Sequence, residues 1–570
     1  MKMQLKILTA GLLCAWSSIG LAQPLQPDPN PVMDAYITAV ESDPAVQAVI
    51  RQYMAEEEDR FKEHMEITRI ASPSRQEYYR AIEMYRRLKT FGFADDELVS
   101  TALNNSGVMP GAAVQQVDGL KVYQTCAIVQ GSWSGATDGT GGIYARPKVV
   151  LEGHIDTVNP SQIPDFNPDA KPDPYYYEPV KLQPYWDAAA NKATVLVETP
   201  AELKALPDAL SFDANGRIID DASYQKAVQR YANTALANSA AQRIYVPGYS
   251  DAIGNTIGVY WLAKMFKANH VKPVYDVWFC FTAGEEGRGN LAGMKQLYGY
   301  NQDHAAIDPA DNGKNKLNIV ANISIDGGSG TFNFLGSYRY EVNYKGGNKN
   351  AGAREAARRI AKIADVKSPR EEGATTDNTT YTVGIAYPKD DGSTSFEIDM
   401  RSPQVPSLNM LKDKLYPIFG VGDTTANGVK IQQLWYGDRP AHVHPESLAT
   451  TDPMIYANWK IRCGTNCGNS FLSTSSSSLN DNIPAAMNIP TLNLNLHSTA
   501  AGGGGHAFNE WGIRGSLVND QTNVERVLTL LLVVAGLNDG NGAEIVPPAY
   551  PALAPKHDNT VWDQENIWTK

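Results

Sequence analysis

At 570 residues the chain is long enough for a large hydrophobic core and for more than one domain. Its 43% hydrophobic and 20% charged content is ordinary globular composition, which excludes a disordered or fibrous class. A formal net charge of -12 without any basic stripe argues against a nucleic-acid partner.

Residues 1–22 read as a secretory signal: Lys2 and Lys6 give a basic start, Ile7 to Leu21 is apolar, and Gly20 and Ala22 are small. The run is too short for a membrane anchor and lacks a stop-transfer flank. Leu13 before Cys14 is too large for lipoprotein processing. The expected location is therefore secreted or periplasmic, with no membrane anchor in the mature chain. Export permits disulfides among Cys126, Cys280, Cys463 and Cys467. Cys463 and Cys467 share a short polar loop that could close one. Cys280, inside an apolar strand, reads as an inert core residue.

Apolar periodicity predicts helices over 33–92, stopping at Gly92. Residues 144–158 read as a strand and its following loop. Residues 160–245 are rich in Pro, Asp and Ala and read as an excursion from the core, with some helix near 224–241. A helix is expected from Gly254 through Val259, Leu262 and Phe266, and buried strands over 274–281 and 316–325. The pattern then changes. Residues 337–345 alternate like a half-exposed strand, 351–363 form an amphipathic helix, and 380–386 and 395–401 read as strands. A helix over 408–416 and a strand over 429–436 complete a β-α-β-β-α-β order. From 441 onward the character is α/β again, with a strand over 489–496 and an apolar helix over 522–537, too short to span a bilayer. Ser473 to Ser478 reads as a serine-rich loop. The expected fold class is α/β: a main domain with a mixed sheet and flanking helices over 23–330 and 441–570, carrying an inserted α+β lid over 331–440.

Acidic residues and histidines stand just past the apolar strand runs. His154 and Asp156 follow Val149-Val150-Leu151, Glu285 and Glu286 follow 277–281, and Asp326 follows Ile323-Ser324-Ile325. Asp251 precedes the helix at Gly254, and His506 closes a run of four glycines. Side chains at successive strand ends of an open α/β sheet converge on one crevice. Two histidines with four or five carboxylates there suit a pair of divalent metal ions. His154 and Asp156 lie two apart on a strand end, so both side chains point the same way, and a carboxylate can fix the tautomer of a ligating histidine if the chain bends. Glu285 and Glu286 are adjacent and diverge, which suits one ligand and one proton carrier. Asp251 could bridge two ions, and the glycines at 502–505 would permit a close approach.

The order and wording of these motifs resemble the M20 family of metallopeptidases, with its glutamate carboxypeptidase, acetylornithine deacetylase and aminoacylase relatives. Residues 66–74 are similar to the family's N-terminal helix and Ser-Pro turn. LEGHIDTVNP resembles its first metal motif, FTAGEEGRGN its Glu-Glu motif and ISIDGG its aspartate strand. The stretch ending in Asp399-Met400-Arg401-Ser402 resembles its lid strands, and GGGGHAFNEW its final histidine motif.

The resemblance covers most of 50–540 and implies a role for each matching residue. His154 and Glu286 would hold one zinc, Asp326 and His506 the other, with Asp251 bridging. Asp156 would orient His154, Glu285 would be the general base, and Arg401 would bind a substrate carboxylate. A cis peptide after Asp251 is implied as well. The expected activity is exopeptidase cleavage of an amide bond beside a free carboxylate, as in a carboxypeptidase or dipeptidase. An N-acyl amino acid amidohydrolase on the same site is the alternative, and a non-catalytic binding protein a third. The substrate would be a peptide or N-acyl amino acid and the protein a monomer or homodimer. Three departures stand out. No histidine lies in 344–350, where the family often carries a Gly-His-Ser. The 154–251 segment is unusually long, and a family asparagine near Ser395 is missing. Oxyanion support would have to come from the metals, an asparagine, or His442, His444 or His497.

Overall fold

The computed structural model describes residues 29–101 except 75, 124–135, 146–158, 185–187, 192–194, 244–300 except 299, 318–347 except 329, 350–368, 379–389 except 385, 391–442, 452–463, 473–497, 501–506 except 504, 510–513, 517–538 and 544–545. The expected residues 1–22 signal, the helix near 224–241 and the Cys467 partner of Cys463 lie outside these.

Four helices open the chain, Pro31–Ser42, Pro44–Ala55, Glu57–Thr68 and Tyr78–Thr90. Pro31 and Pro44 occupy first-turn positions, where a missing N–H is harmless, and Asn30 and Asp43 cap the exposed amides. The main sheet contains β1 (Leu98–Thr101), β2 (Gln124–Val129), β3 (Lys148–His154), β4 (Asp276–Thr282), β5 (Ile319–Ile325) and β6 (Thr331–Phe334). A second sheet contains β7 (Gly336–Gly346), β8 (Thr380–Val383), β9 (Tyr387–Pro388), β10 (Thr394–Ser402) and β11 (Val429–Arg439). Two later strands, β12 (Ser473–Ser477) and β13 (Thr491–Leu494), return to the main sheet.

The main sheet runs β1-β2-β4-β3-β5-β13-β6-β12. It is mixed, as the sequence predicts. Its centre, β4-β3-β5-β13, is parallel, and β2 joins β4 antiparallel. Both faces of β3 and β4 are buried, which is why these strands are continuous apolar runs. The helices Gly254–Ala268 and Leu517–Ala535 supply much of the covering core, including Trp261, Phe266, Leu528 and Leu531. Among the described residues no helix is long and apolar enough to cross a membrane.

The second sheet has the path β8-β10-β7-β11, with β9 beside β10. Two helices, Ala351–Ala364 and Val405–Phe419, accompany it. It has its own core of Tyr340, Val342, Phe396, Ile398, Leu411 and Phe419. Strand β7 departs from the expected half-exposed pattern, being buried on both faces through Tyr344. Its helix-facing side meets that core. Its other side is covered where Arg339 reaches Gly287 and where Lys389 pairs with Glu341.

Two further readings are corrected. Residues 473–477 form a strand rather than a loop, paired parallel to β6, because an edge partner overrides the weak strand preference of serine. Cys280 is not an inert core thiol: it forms a disulfide with Cys126, its cross-strand partner in β2. The two are 154 residues apart in sequence, so no local spacing announces the pair. Closing so long a loop restricts the unfolded chain by about 5 kcal/mol in the chain-entropy view. Replacing both cysteines by alanine should therefore lower the chemical denaturation midpoint of the oxidised protein markedly. An unchanged midpoint would show that the bond contributes nothing.

Candidate metal-binding cleft

The C-terminal ends of β3, β4 and β5 open on one side of the main sheet, and each delivers a polar residue there. His154 is the last residue of β3 and is buried. Its ring is held from behind by the main-chain carbonyl of Asp156, 3.0 Å from Nδ1, with Asp156 Oδ1 at 3.5 Å. The sequence assigns this support to the carboxylate, but the backbone makes the closer contact. The Asp156 carboxylate instead accepts from the main-chain N–H of Glu285 at 2.9 Å and of Glu286 at 2.8 Å, and from Ser74 Oγ at 2.5 Å. It fixes the turn that presents the glutamate pair. Burial pushes this carboxyl up, but the His154, Ser74 and Glu286 contacts outweigh it and hold it below its ordinary value.

Asp251 lies between the two histidines. Its Oδ1 is 3.7 Å from His154 Nε2 and its Oδ2 is 2.9 Å from His506 Nε2. His154 Nε2 is also 3.5 Å from Asp326 Oδ1, and His506 Nε2 is 3.3 Å from Glu286 Oε1. The ligand atoms of His154, Asp251 and Glu286 all fall within 4.8 Å of one another. Five side chains thus meet, with the Asp251 carboxylate between the two histidines. The closest approaches join His154 to Asp326 and His506 to Glu286, while His154, Asp251 and Glu286 also lie close enough together for one ion, the grouping that the resemblance implies. The peptide bond Asp251–Ala252 is cis. The loop before it turns at Gly248, where φ is +81° and a Cβ would lie 2.2 Å from Thr157 Cγ2, so only glycine fits. Gly505 needs no such exemption, since a Cβ there would be 3.9 Å from Asp251 Oδ2.

Sequence reasoning missed the residue that holds this loop. Glu510 is buried and accepts from the N–H of Gly248 at 2.7 Å, of Ser250 at 2.9 Å and of Asp251 at 3.1 Å, and from Ser250 Oγ at 2.9 Å. Nothing local marks it, because its partners are some 260 positions away. Glu152 was also missed. It lies beneath His154, accepting from Thr282 Oγ1 at 2.9 Å and Asn480 Nδ2 at 3.0 Å, and burial lifts it to about 8.

The cleft fits a divalent cation on two counts. His154 Nε2 is buried, faces two carboxylates and has no hydrogen-bond partner. The carboxylates also repel one another in a low-dielectric site. Burial, then Asp251 and Glu285, lift Glu286 to about 8. Burial lifts Asp326 to about 7 against the pull of His154, with Asp251 and Glu285 adding to the rise. Hydrogen bonds to Asp251 and Glu286 raise His506 to about 11, although its side chain is 62% exposed.

Asp251, Glu285, Glu286, Asp326 and His506 share a cavity of about 840 Å³ with Arg339, Glu397, Asp399, Arg401 and Arg439 of the second sheet. Arg401 lines the cavity with its side chain 44% exposed, and Nε and Nη2 lie 2.9 and 2.8 Å from Asp399 Oδ2. Arg439 is buried, and its Nη1 donates to Glu285 Oε1 at 3.1 Å. Glu285 and Glu286 do diverge: one reaches the arginine, the other the histidine. His442 and His497 do not line the cavity. His442 bridges to Phe334 through the backbone, His497 stands edge-on to His64, and His444 lies outside the described residues.

No family model matches the chain, and no curated protein does. Solved structures are similar over most of its length. A tripeptidase of Staphylococcus aureus is 13% identical, covering 84% of this chain and 98% of that one, with a TM-score of 0.47. The dipeptidase Dug1p of Saccharomyces cerevisiae is 12% identical, covering 86% and 98%, with a TM-score of 0.48. A dinuclear metal binding peptidase of the M20 family from Bacillus subtilis is 12% identical, covering 88% and 99%, with a TM-score of 0.40.

Two measurements probe the cleft. Metal ligands must be deprotonated, whereas His506 and Glu286 both hold a proton more tightly than the free groups do. Zinc uptake by metal-free protein should therefore release protons near pH 7 and weaken as pH falls from 8 to 6. Calorimetry in buffers of different ionisation enthalpy reads this, and uptake without proton release would contradict it. Glu510→Ala should free the Asp251 loop and weaken zinc binding by about 10- to 100-fold, the usual effect of losing an outer-shell partner. An unchanged zinc titration would make Glu510 dispensable.

Proposed function

We propose that the chain is an M20-like metallohydrolase that cleaves an amide bond next to a free carboxylate, acting on peptides as an exopeptidase. Asp251 set between two histidines, one oxygen toward each, with Glu285 and Glu286 at the same cleft, carries the reading. His154, Asp326, Asp251, Glu286 and His506 would hold two divalent ions, zinc by the mix of imidazole and carboxylate donors. When bound, such ions polarise a carbonyl and lower the pKa of water.

The chain's own residues would do the rest. Asp156 keeps the glutamate turn in place. Glu285, with Oε1 engaged by Arg439, would accept the proton of the attacking water on Oε2 and pass it to the leaving amine. Arg401, half exposed in the same cavity, would exchange Asp399 for the carboxylate of the substrate. Within 331–440, the second sheet and its two helices would act as a lid whose inner face recognises the substrate. The same site would serve N-acyl amino acids, and a substrate panel separates the two uses. The signal-like segment 1–22 supports secretion or a periplasmic location.

The deciding experiment is hydrolysis of dipeptides and N-acyl amino acids by the zinc-loaded protein. Activity should vanish on chelation and return with zinc; no hydrolysis of any member would leave a binding protein. Glu285→Gln should cut kcat by about 10²- to 10⁴-fold with zinc retained, whereas Glu286→Gln should reduce zinc occupancy. Two fully metallated, fully active variants would overturn these roles. Arg401→Ala should raise KM about 10-fold or more for free-carboxylate substrates and much less for amidated ones, which offer the guanidinium no anion. Equal losses on both would make Arg401 a partner of Asp399 only.

A further inference from the structure

Arg439 is the last residue of β11, and its side chain turns out of the second sheet beneath the glutamate turn. It is 3% exposed. Its Nη1 donates to Glu285 Oε1 at 3.1 Å and to the Ser478 carbonyl at 3.0 Å, and its Nη2 donates to the Glu285 carbonyl. One guanidinium thus grips the carboxylate and the backbone of a single residue. A rigid planar fork can do this; an ammonium on a flexible stem lacks the fixed spacing. Neighbouring contacts join the same two regions. Arg339 Nη1 donates to the Gly287 carbonyl at 2.7 Å, the Asp438 N–H to Asn290 Oδ1 at 3.0 Å, and Lys295 Nζ to the Asp438 carbonyl at 2.7 Å. All fall close to where the chain enters the second sheet, at Gly336, and leaves it, at Arg439.

The glutamate turn is therefore held from two sides. From the main sheet, Asp156 binds the N–H groups of Glu285 and Glu286. From the second sheet, Arg439 binds the side chain and carbonyl of Glu285. We propose that Arg439 is a positioning residue that sets the orientation of Glu285 according to the placement of the second sheet, while Asp156 keeps Glu286 in the metal cluster. Asp156 thereby holds the backbone of both glutamates, and the Glu285 carboxylate alone is also gripped from the second sheet. Closure of the second sheet over a substrate would shift the Glu285 carboxylate through Arg439, while Asp156 holds the amides of the turn against the main sheet. The inference rests on the proposed role of Glu285 for its catalytic consequence, but the mechanical link stands on the contacts themselves.

The test uses Arg439→Ala and Arg439→Lys in the full chain, with two independent readouts. Amide exchange in the 284–295 segment should quicken by about fivefold or more in Arg439→Ala, while 148–154 stays as in the parent, because local opening follows the loss of local contacts. Unchanged exchange in 284–295 would overturn the link whatever the activity. In the kinetic arm, Arg439→Ala should lose about 10- to 100-fold in kcat with KM within about threefold and zinc content unchanged, a loss confined to the chemical step. Millimolar guanidinium chloride should restore part of that kcat, and equal sodium chloride should not. An intact kcat, or a loss that tracks zinc content, would overturn the positioning role. Arg439→Lys keeps the charge without the fork, so it should show the same kcat loss, and it decides the matter if the alanine variant does not fold. If the parent hydrolyses nothing, the catalytic reading fails while the exchange result still decides the link.

Discussion

Asp156 touches no solvent, and its contacts gather three distant stretches of chain at one point. Its carbonyl sets the ring of His154, its carboxylate oxygens take the amides of Glu285 and Glu286, and Ser74 closes the remaining side. A buried carboxylate is tolerable only when its acceptor capacity is filled, and here backbone amides and a hydroxyl fill it. Once it is placed, the ends of β3 and β4 cannot drift apart, and the ligand and the base inherit that separation. Glu510 acts likewise on the other flank, taking three amides and a hydroxyl from the Asp251 loop. The cleft is thus built on two carboxylates that would themselves touch no metal.

The inner carboxylates are under the opposite constraint. Asp251, Glu286 and Asp326 crowd into a low-dielectric space where like charges cannot all ionise. Glu286 and Asp326 respond by holding protons more tightly, whereas burial of Asp251 is outweighed by the two histidines, which hold its carboxyl below the ordinary value. The same field that raises those values rewards a divalent cation, and the unpartnered Nε2 of His154 points into it. The electrostatics and the donor set agree, which supports a hydrolytic site more strongly than either does alone.

Above this acidic floor the second sheet contributes cations. Arg401 and Arg439 both pair in register with Ser337, on either side of β7, and Arg339 lies two residues further along that strand. Three guanidiniums therefore converge at one end of the sheet, tempered by Asp399 and by Glu285. A substrate whose amide lies beside a carboxylate suits such a layered cleft, with its carbonyl toward the floor and its anion toward the roof.

What the sequence determined by itself was whatever local periodicity or strand-end placement carries. The buried parallel strands were legible because both faces are apolar, and the helices because their apolar residues recur at helical spacing. His154, Glu285, Glu286 and Asp326 were legible because each follows such a strand at its C-terminal end. The tertiary structure alone decided what depends on pairing across hundreds of residues. It joined Cys126 to Cys280, matched His154 with Asp326 and His506 with Glu286, assigned Glu510 to the Asp251 loop, and brought Arg439 to Glu285. It also made a strand of the serines at 473–477 and buried both sides of β7, because an edge partner and a covering surface outweigh composition. None of these has a period or a spacing along the chain. Each depends on how segments far apart in the chain pack together.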